Sequence, residues 1–242
     1  MVNFLRKEKY DFYDLVRITK LLRSPEGCPW DREQNHKSIR MNFVEETFEA
    51  CEAIDNDDPV LLKEELGDVL AQVVFHSELE SEAGRFDVND VADGVCKKFI
   101  ERHPHVFGDI SAETADEVLR NWDDIKRREK NQKTHFSAMD SVARSLPALM
   151  RAEKLQSKAK KAGLPQKGIK ELSDRIEQEL SKGEHMSVGD VLLDVVRIAR
   201  ILGVNPEEEL DRRNEKFLAE FKKLESEEGE LSQLLSEYED KL

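Results

Sequence analysis

Cysteine is scarce in this sequence. There are three, Cys28, Cys51 and Cys96, and none forms a CxxC pair. An odd number at such spacings argues against a disulfide framework, so a reduced, cytoplasmic setting is expected. Long apolar runs are missing as well: no window approaches the eighteen residues a membrane span needs. The first twenty residues carry Lys, Arg, Asp and Glu throughout, without the apolar stretch of a signal peptide. Aromatics make up 7% of the chain, with eleven glycines and seven prolines. That is poor material for many short strands and turns, and with 37% charged residues it favours long helices. Net positive charge is also lacking. Thirty-eight basic against 52 acidic residues leave a net charge of −14, which repels phosphate backbones and anionic membranes. No nucleic-acid or membrane partner is expected, and a phosphorylated substrate would need a bridging metal. The length, 242 residues, suits one or two domains.

What is present is helical periodicity. Residues 11–22 read as an amphipathic helix, followed by a loop over 23–36 with two prolines and a glycine. A helix is expected from about Ser38 to Ile54, a turn at "DNDDP", and a second helix from about Val60 to Ala83. Further helices follow over about 88–101 and 111–130, the latter with Ser111 or Thr114 as N-cap. The polar stretch 131–146 reads as a linker, after which helical patterns resume at 148–162, 169–182, 187–202 and 206–226. An internal repeat runs through this series. "GDVLAQVV" (67–74) returns as "GDVLLDVV" (189–196), and "KKFIERH" (97–103) is answered by "EKFLAEF" (215–221) in the same order. The expected organisation is an all-α chain of two related helical domains, 1–130 and 147–242.

Carboxylates are concentrated in two places. On the helix beginning near Ser38, Phe43, Val44, Phe48, Cys51 and Ile54 share one side and Glu45, Glu46, Glu49 and Glu52 the other. Taken alone, this is an ordinary amphipathic helix with a solvated acidic face. The next helix is different. Leu61, Leu62, Leu66, Val69, Leu70, Val73, Val74, Phe75 and Leu79 occupy nearly its whole circumference, a pattern that predicts burial. Glu65, Asp68 and Gln72 form a narrow stripe within it. Buried carboxylates must be neutralised, paired or metal-bound, because two such charges ~4 Å apart repel by up to ~4 kcal/mol at an effective dielectric of 20. Folding the chain back at "DNDDP" lets Glu46 and Glu49 face Glu65 and Asp68. Four carboxylates without a histidine at ligand spacing form a hard oxygen site suited to Mg²⁺, with Mn²⁺ as a substitute. Buried ion pairs to Arg or Lys of a neighbouring helix are the alternative. Neither carboxylate helix carries Glu-x-x-His, and no HExxH, EF-hand glycine, P-loop or nucleophile triad occurs.

The E-E-x-x-E and E-x-x-D pair, with "GCPWD" before it and "RHPHVFGD" after it, resembles the MazG family of nucleoside triphosphate pyrophosphohydrolases. The resemblance runs from about Leu21 to Lys130 and continues more weakly through the second copy. It implies tandem four-helix-type bundles that assemble as a homodimer, and Mg²⁺-dependent cleavage of a nucleoside triphosphate to the monophosphate and pyrophosphate. Carried over residue by residue, it implies Glu46, Glu49, Glu65 and Asp68 as metal ligands and Glu45 and Glu64 as candidates for activating water. Lys98 and Arg102 would contact phosphates, and Trp122 and Lys126 would hold the base. Weaker candidates are Trp30 for a structural role, His36 as a capping or substrate residue, and Arg40 and Lys63 as phosphate contacts or surface charges. The second copy departs from the pattern: Ser187-Val-Gly-Asp190 replaces Glu65-Leu-Gly-Asp68, and Glu171-Leu-Ser-Asp174 stands where ExxE is expected. Glu171, Asp174, Asp190, Asn214 and Lys216 would form at most a weak second site, with Asp194 as a partial replacement ligand. Two other readings stay open: a non-catalytic helical interaction protein with a vestigial metal site, and a pyrophosphohydrolase of narrower substrate such as dUTP, dCTP or phosphoribosyl-ATP.

Overall fold

The computed structural model of the chain describes residues 4–112, 114, 115, 117, 118, 121, 122, 125 and 134–226, with backbone alone for 224–226. Every regular element among these residues is helical, and none of the helices is long and apolar enough to cross a membrane. Two compact units divide the chain, residues 1–122 and 123–242.

The first unit contains α1 (Phe12–Arg23), α2 (Pro29–Glu33), α3 (Arg40–Asp55), α4 (Pro59–Glu82), α5 (Val88–Arg102) and α6 (Pro104–Phe107). α4 is its hub, with α1, α3 and α5 all packed on it. The starts of these helices are written in the sequence. Asp11 and Asp87 each head a capping box, answered by Asp14 and Asp90. Asp58 caps α4 by accepting from the backbone N–H of Val60 and Leu61 (2.9 and 3.0 Å), with Pro59 at the first helical position. Farther along, the described residues between 115 and 125 are helical, and Thr114 Oγ1 accepts from Glu117 N–H.

Two features of the first unit depart from the sequence reading. The segment 23–36, expected as a loop, holds the five-residue α2. Pro29 fixes its first turn and the Cys28 carbonyl accepts from Arg32 N–H, but five residues are too few for a periodic signal. Arg23 fastens this segment: its guanidinium donates to the carbonyls of Asp31 and Gln34 and pairs with both carboxylate oxygens of Glu82 at the end of α4. The second departure is in burial. The apolar pattern of α4 predicts full enclosure, yet Leu66 is 53% and Leu70 39% exposed, while Phe48 and Ile54 on α3 are 55% and 60% exposed. The side chains of α3 that are buried are Ala50 and Ala53. An apolar pattern records every surface that avoids water, including one that a unit with few packing layers leaves uncovered.

The second unit contains α7 (His135–Asp140), α8 (Ala148–Lys161), α9 (Ile169–Leu180), α10 (Val188–Leu202) and α11 (Pro206–Ser226). Its hub is α10, on which α8, α9 and α11 pack. Leu172 and Val196 are completely buried. α10 closes at Gly203 (φ 75°), where the Val204 N–H reaches back to the Ala199 carbonyl at 3.0 Å, a left-handed ending that glycine adopts without strain. α7 falls inside the stretch 131–146 expected to be a linker, and Thr134 caps it. Residues 67–74 lie in α4 and 189–196 in α10, so the repeated segment forms the hub helix of both units.

Asp58 sets the first residue of α4 and with it the register of that helix against α3. Replacing it with alanine is expected to cost about 1 kcal/mol, and replacing it with asparagine much less. Urea unfolding followed by circular dichroism measures both. An alanine variant as stable as the parent would show that the cap does not hold this helix start.

Candidate metal centre

The α3–α4 hairpin turns at residues 56–58, and Asp57 takes a left-handed conformation there (φ 51°), which aspartate tolerates better than most residues. Glu49 and Glu65 lie eight residues either side of Asp57, and Glu46 and Asp68 eleven. An antiparallel pair of equal-pitch helices sets residues equidistant from the turn at the same level. Alanines at the buried positions of α3 let α4 approach closely. The result is one group of ligand-bearing side chains, Glu46, Glu49 and Glu65, whose oxygens lie within 4.8 Å of one another. Among the described residues it is the one such group of acidic, histidine or cysteine side chains. Glu65 is buried, Glu46 half-buried and Glu49 exposed, so the cluster opens to solvent at one side.

Electrostatics bring Asp68 into the same centre. Burial, followed by the charges of Asp68, Glu49 and Glu45, raises the Glu46 carboxyl above its ordinary value. Burial, followed by Glu49, Asp68, Glu46 and Glu64, does the same for Glu65. Both lists of neighbours match the pairing across the turn: Asp68 is the strongest charge acting on Glu46, and Glu49 the strongest on Glu65. No cation of the chain appears among these causes, so the alternative of buried ion pairs to Arg or Lys has no support at this centre. Oxygen donors of this kind, unpaired and crowded, suit a hard divalent cation.

The remaining sequence candidates fall around this cluster or away from it. Glu45 and Glu64 are exposed on α3 and α4, each next in the chain to a cluster member. Lys98 is exposed and Arg102 half-buried on α5, which packs on α4. The Arg102 guanidinium lies over the Trp122 ring at 5.6 Å, and His103 meets that ring edge-on at 5.0 Å. Lys126 lies outside the described residues. Trp30 is 59% exposed on α2, and Arg40 and Lys63 are exposed.

His36 belongs to a network that sequence reasoning did not find. Its Nε2 meets Glu80 at 2.6 Å, and its Nδ1 lies 2.7 Å from His76 Nδ1, with the rings stacked. A hydrogen bond between the two Nδ1 atoms requires one ring to donate and the other to accept. Arg85 holds Glu80 at about 2, burial opposing and His36 assisting. Burial, then His36, lowers His76. The segment leading into α3 is thereby pinned to α4. His76 stands eight residues beyond Asp68, and nothing in a single-helix pattern connects it to His36, forty residues upstream.

In the second unit, Asp194 is buried and paired within the chain. Arg197 Nη1 lies 2.6 Å from its Oδ1 and Arg175 Nε 3.3 Å from its Oδ2, which counts against a role as replacement ligand. Asp190 lines a small cavity with Arg175, Glu179, Lys182 and Asp194. Neither Glu171 nor Asp174 belongs to that cavity. Glu171 is ion-paired with Lys167, Asp174 is exposed, and Asn214 and Lys216 are exposed on α11.

The raised carboxyls set the sign of a stability effect. A glutamate whose value is higher in the folded chain than in the unfolded one binds more protons when folded. Metal-free stability attributable to Glu65 and Glu46 therefore falls as pH rises from 4.5 through their raised values. Glu65→Gln is expected to raise the metal-free thermal midpoint at neutral pH, to flatten this part of its pH dependence, and to weaken stabilisation by added Mg²⁺. Scanning calorimetry of parent and variant in EDTA and in millimolar Mg²⁺ tests all three. A lower midpoint in EDTA, with the Mg²⁺ response intact, would contradict the assignment.

Comparison with known proteins points the same way. A family model for the MazG nucleotide pyrophosphohydrolase domain matches residues 34–107, which include both carboxylate helices. A nucleoside triphosphate pyrophosphohydrolase of Escherichia coli (strain K12) is 40% identical over 225 residues, covering 87% of this chain and 86% of that protein. A nucleoside triphosphate pyrophosphohydrolase/pyrophosphatase MazG of Thermotoga maritima is 40% identical over 222 residues, covering 88% and 85%. YabN of Bacillus subtilis, an uncharacterized protein, is 38% identical over 260 residues, covering 98% of this chain and 52% of that one. On this similarity, which extends over most of its length and includes the helices that bear the carboxylate cluster, the chain belongs to the MazG nucleotide pyrophosphohydrolase family.

Proposed function

We propose that this protein hydrolyses nucleoside triphosphates to the monophosphate and pyrophosphate, using Mg²⁺ held by Glu46, Glu49, Glu65 and Asp68, with Mn²⁺ as a possible substitute. The observation that carries this reading is the convergence of these carboxylates across the α3–α4 hairpin, without a compensating cation among the described residues, inside the segment that matches the family domain. A divalent cation there would neutralise phosphate oxygens and favour attack by water on the phosphoryl group. The chain's own residues do the rest. The four carboxylates fix where the triphosphate sits. Glu45 and Glu64, exposed and next in the chain to ligands, would orient or deprotonate water. Lys98 and Arg102 on α5 would meet the phosphates, and Trp122, with Lys126, the base. Arg102 over the Trp122 ring would link the two ends of the substrate.

The same reading covers organisation. A tandem of MazG-like domains, 1–130 and 147–242, accounts for a repeated segment that forms the hub helix twice. The second domain would be catalytically weak, because Ser187 replaces a ligand and Asp194 is committed to arginines. A homodimer, in which a second copy covers Phe48, Ile54, Leu66 and Leu70, would resolve the exposure of an apolar hairpin face.

Pyrophosphate release from a panel of ribo- and deoxyribonucleoside triphosphates at saturating Mg²⁺ tests the activity. Asp68→Asn and Glu49→Gln are expected to lower the rate by roughly a hundredfold or more while keeping the fold, and Asp190→Asn to change it little. Loss of activity in Asp190→Asn but not in Asp68→Asn would move the active site to the second unit. Release of orthophosphate in place of pyrophosphate would overturn the proposed reaction.

A further inference from the structure

The second unit contains a cavity of about 430 Å³ between α8, the loop at 164–167, α9 and α10. Five of its lining side chains are cations: Lys160, Lys167, Arg175, Arg197 and Arg200. Among the described residues no acidic side chain lines it, in a chain whose net charge is −14. Three acids that are not part of the lining pair with these cations. Asp194 pairs with Arg175 and Arg197, Glu153 approaches Arg200 Nε at 3.5 Å, and Glu171 pairs with Lys167. Three carboxylates against five cations leave an excess of positive charge facing the cavity. Lys160 has no side-chain partner among the described residues. Arg200 Nη1 is buried without a hydrogen-bond acceptor, and a buried donor of a charged group left unsatisfied is costly.

The arrangement is particular to this copy. In the register of the repeat, with Gly189 on Gly67, Arg197 and Arg200 stand where α4 has Phe75 and Glu78. Two guanidiniums thus occupy hub-helix positions that are apolar and acidic in the first copy. Guanidinium forks match the oxygens of phosphate groups, and several cations around one cavity suit an anion that carries several such groups. The remaining wall is mixed: Leu164, Leu172 and Ile201 are apolar, and Gln156 and Gln166 supply amides. The volume lies in the range of cavities that enclose small organic ligands.

We propose that this cavity is a metal-independent binding site for an oligophosphate anion, free or carried by a nucleotide. Its residues are distinct from the carboxylates of the first unit, and with no carboxylate in the wall it needs no divalent cation to receive the anion.

Isothermal titration calorimetry on the full chain in EDTA tests this, with inorganic tripolyphosphate, orthophosphate, ATP and AMP as probes. Tripolyphosphate and ATP are expected to bind once per chain, and orthophosphate and AMP far more weakly. Arg200→Gln and the surface variant Lys160→Gln should each weaken tripolyphosphate by about tenfold, with unchanged helical circular dichroism. Asp68→Asn should leave that binding intact. ATP tighter than tripolyphosphate identifies a nucleotide site, and equal affinities an inorganic one. Absence of metal-free binding, binding that neither second-unit variant changes, or binding lost on Lys98→Ala in the first unit overturns the proposal.

Discussion

Like charges gathered across a helix pair raise the free energy of a fold, and the α3–α4 hairpin is organised around that cost. Its turn sets the register, its alanines set the separation, and together they bring Glu46, Glu49 and Glu65 within 4.8 Å, with Asp68 acting on Glu46 at the same level. Nothing in the packing of the hairpin requires acids there. A fold optimised for stability alone would place neutral or alternating charges at these positions, and the crowding relaxes only through protonation or a cation. Other features of the first unit act to keep the hairpin in place. Asp58 fixes where α4 begins, Arg23 ties its far end to α1 and α2, and the His36–His76–Glu80–Arg85 network pins the approach to α3.

The two hub helices meet the same geometric problem with different chemistry. A carboxylate facing into a helix pair can be matched by an external cation or by a cation of the chain. In α4 the acids face other acids. In α10 the buried acid, Asp194, faces Arg197 on its own helix and Arg175 on α9. An ion pair of this kind neutralises the acid from within the chain and links two helices. The difference between the units is therefore one of where the neutralising charge comes from: outside the chain for the proposed first-unit site, and inside it for Asp194.

Much of this was legible from sequence because it depends on local rules. The helix starts near residues 11, 60 and 88, the turn at residues 55–59, and the i, i+3 spacing of the acids all act over a few residues, and each appears in the structure near its expected place. The features that escaped depend on side chains distant in sequence. His36 and His76 are forty residues apart, and Arg175 and Asp194 nineteen, so no wheel drawn for one helix could pair them. α2 escaped because one turn and a half carries no period. The apolar positions were recognised correctly as water-avoiding. Their burial was not, because Phe48, Leu66 and Leu70 show what the surface prefers and the packing of one chain does not supply it.

A chain of net charge −14 is an unpromising receptor for a polyanion if charge is treated as a single number. The structure shows it distributed. Acids crowd where a divalent cation would convert them into a phosphate-binding surface, so in the proposed reaction negative charge becomes the means of holding negative charge. Cations gather elsewhere: Arg102 against Trp122 on the first unit, and the five side chains around the second-unit cavity. At physiological ionic strength the Debye length is only ~8 Å. The net charge is therefore screened at the distances over which such a site acts, and local composition decides what each site accepts. Net charge still governs the approach of an anion from afar, which predisposes the chain to ligands small enough to be captured by a few nearby groups and against extended phosphate backbones that must meet the whole surface.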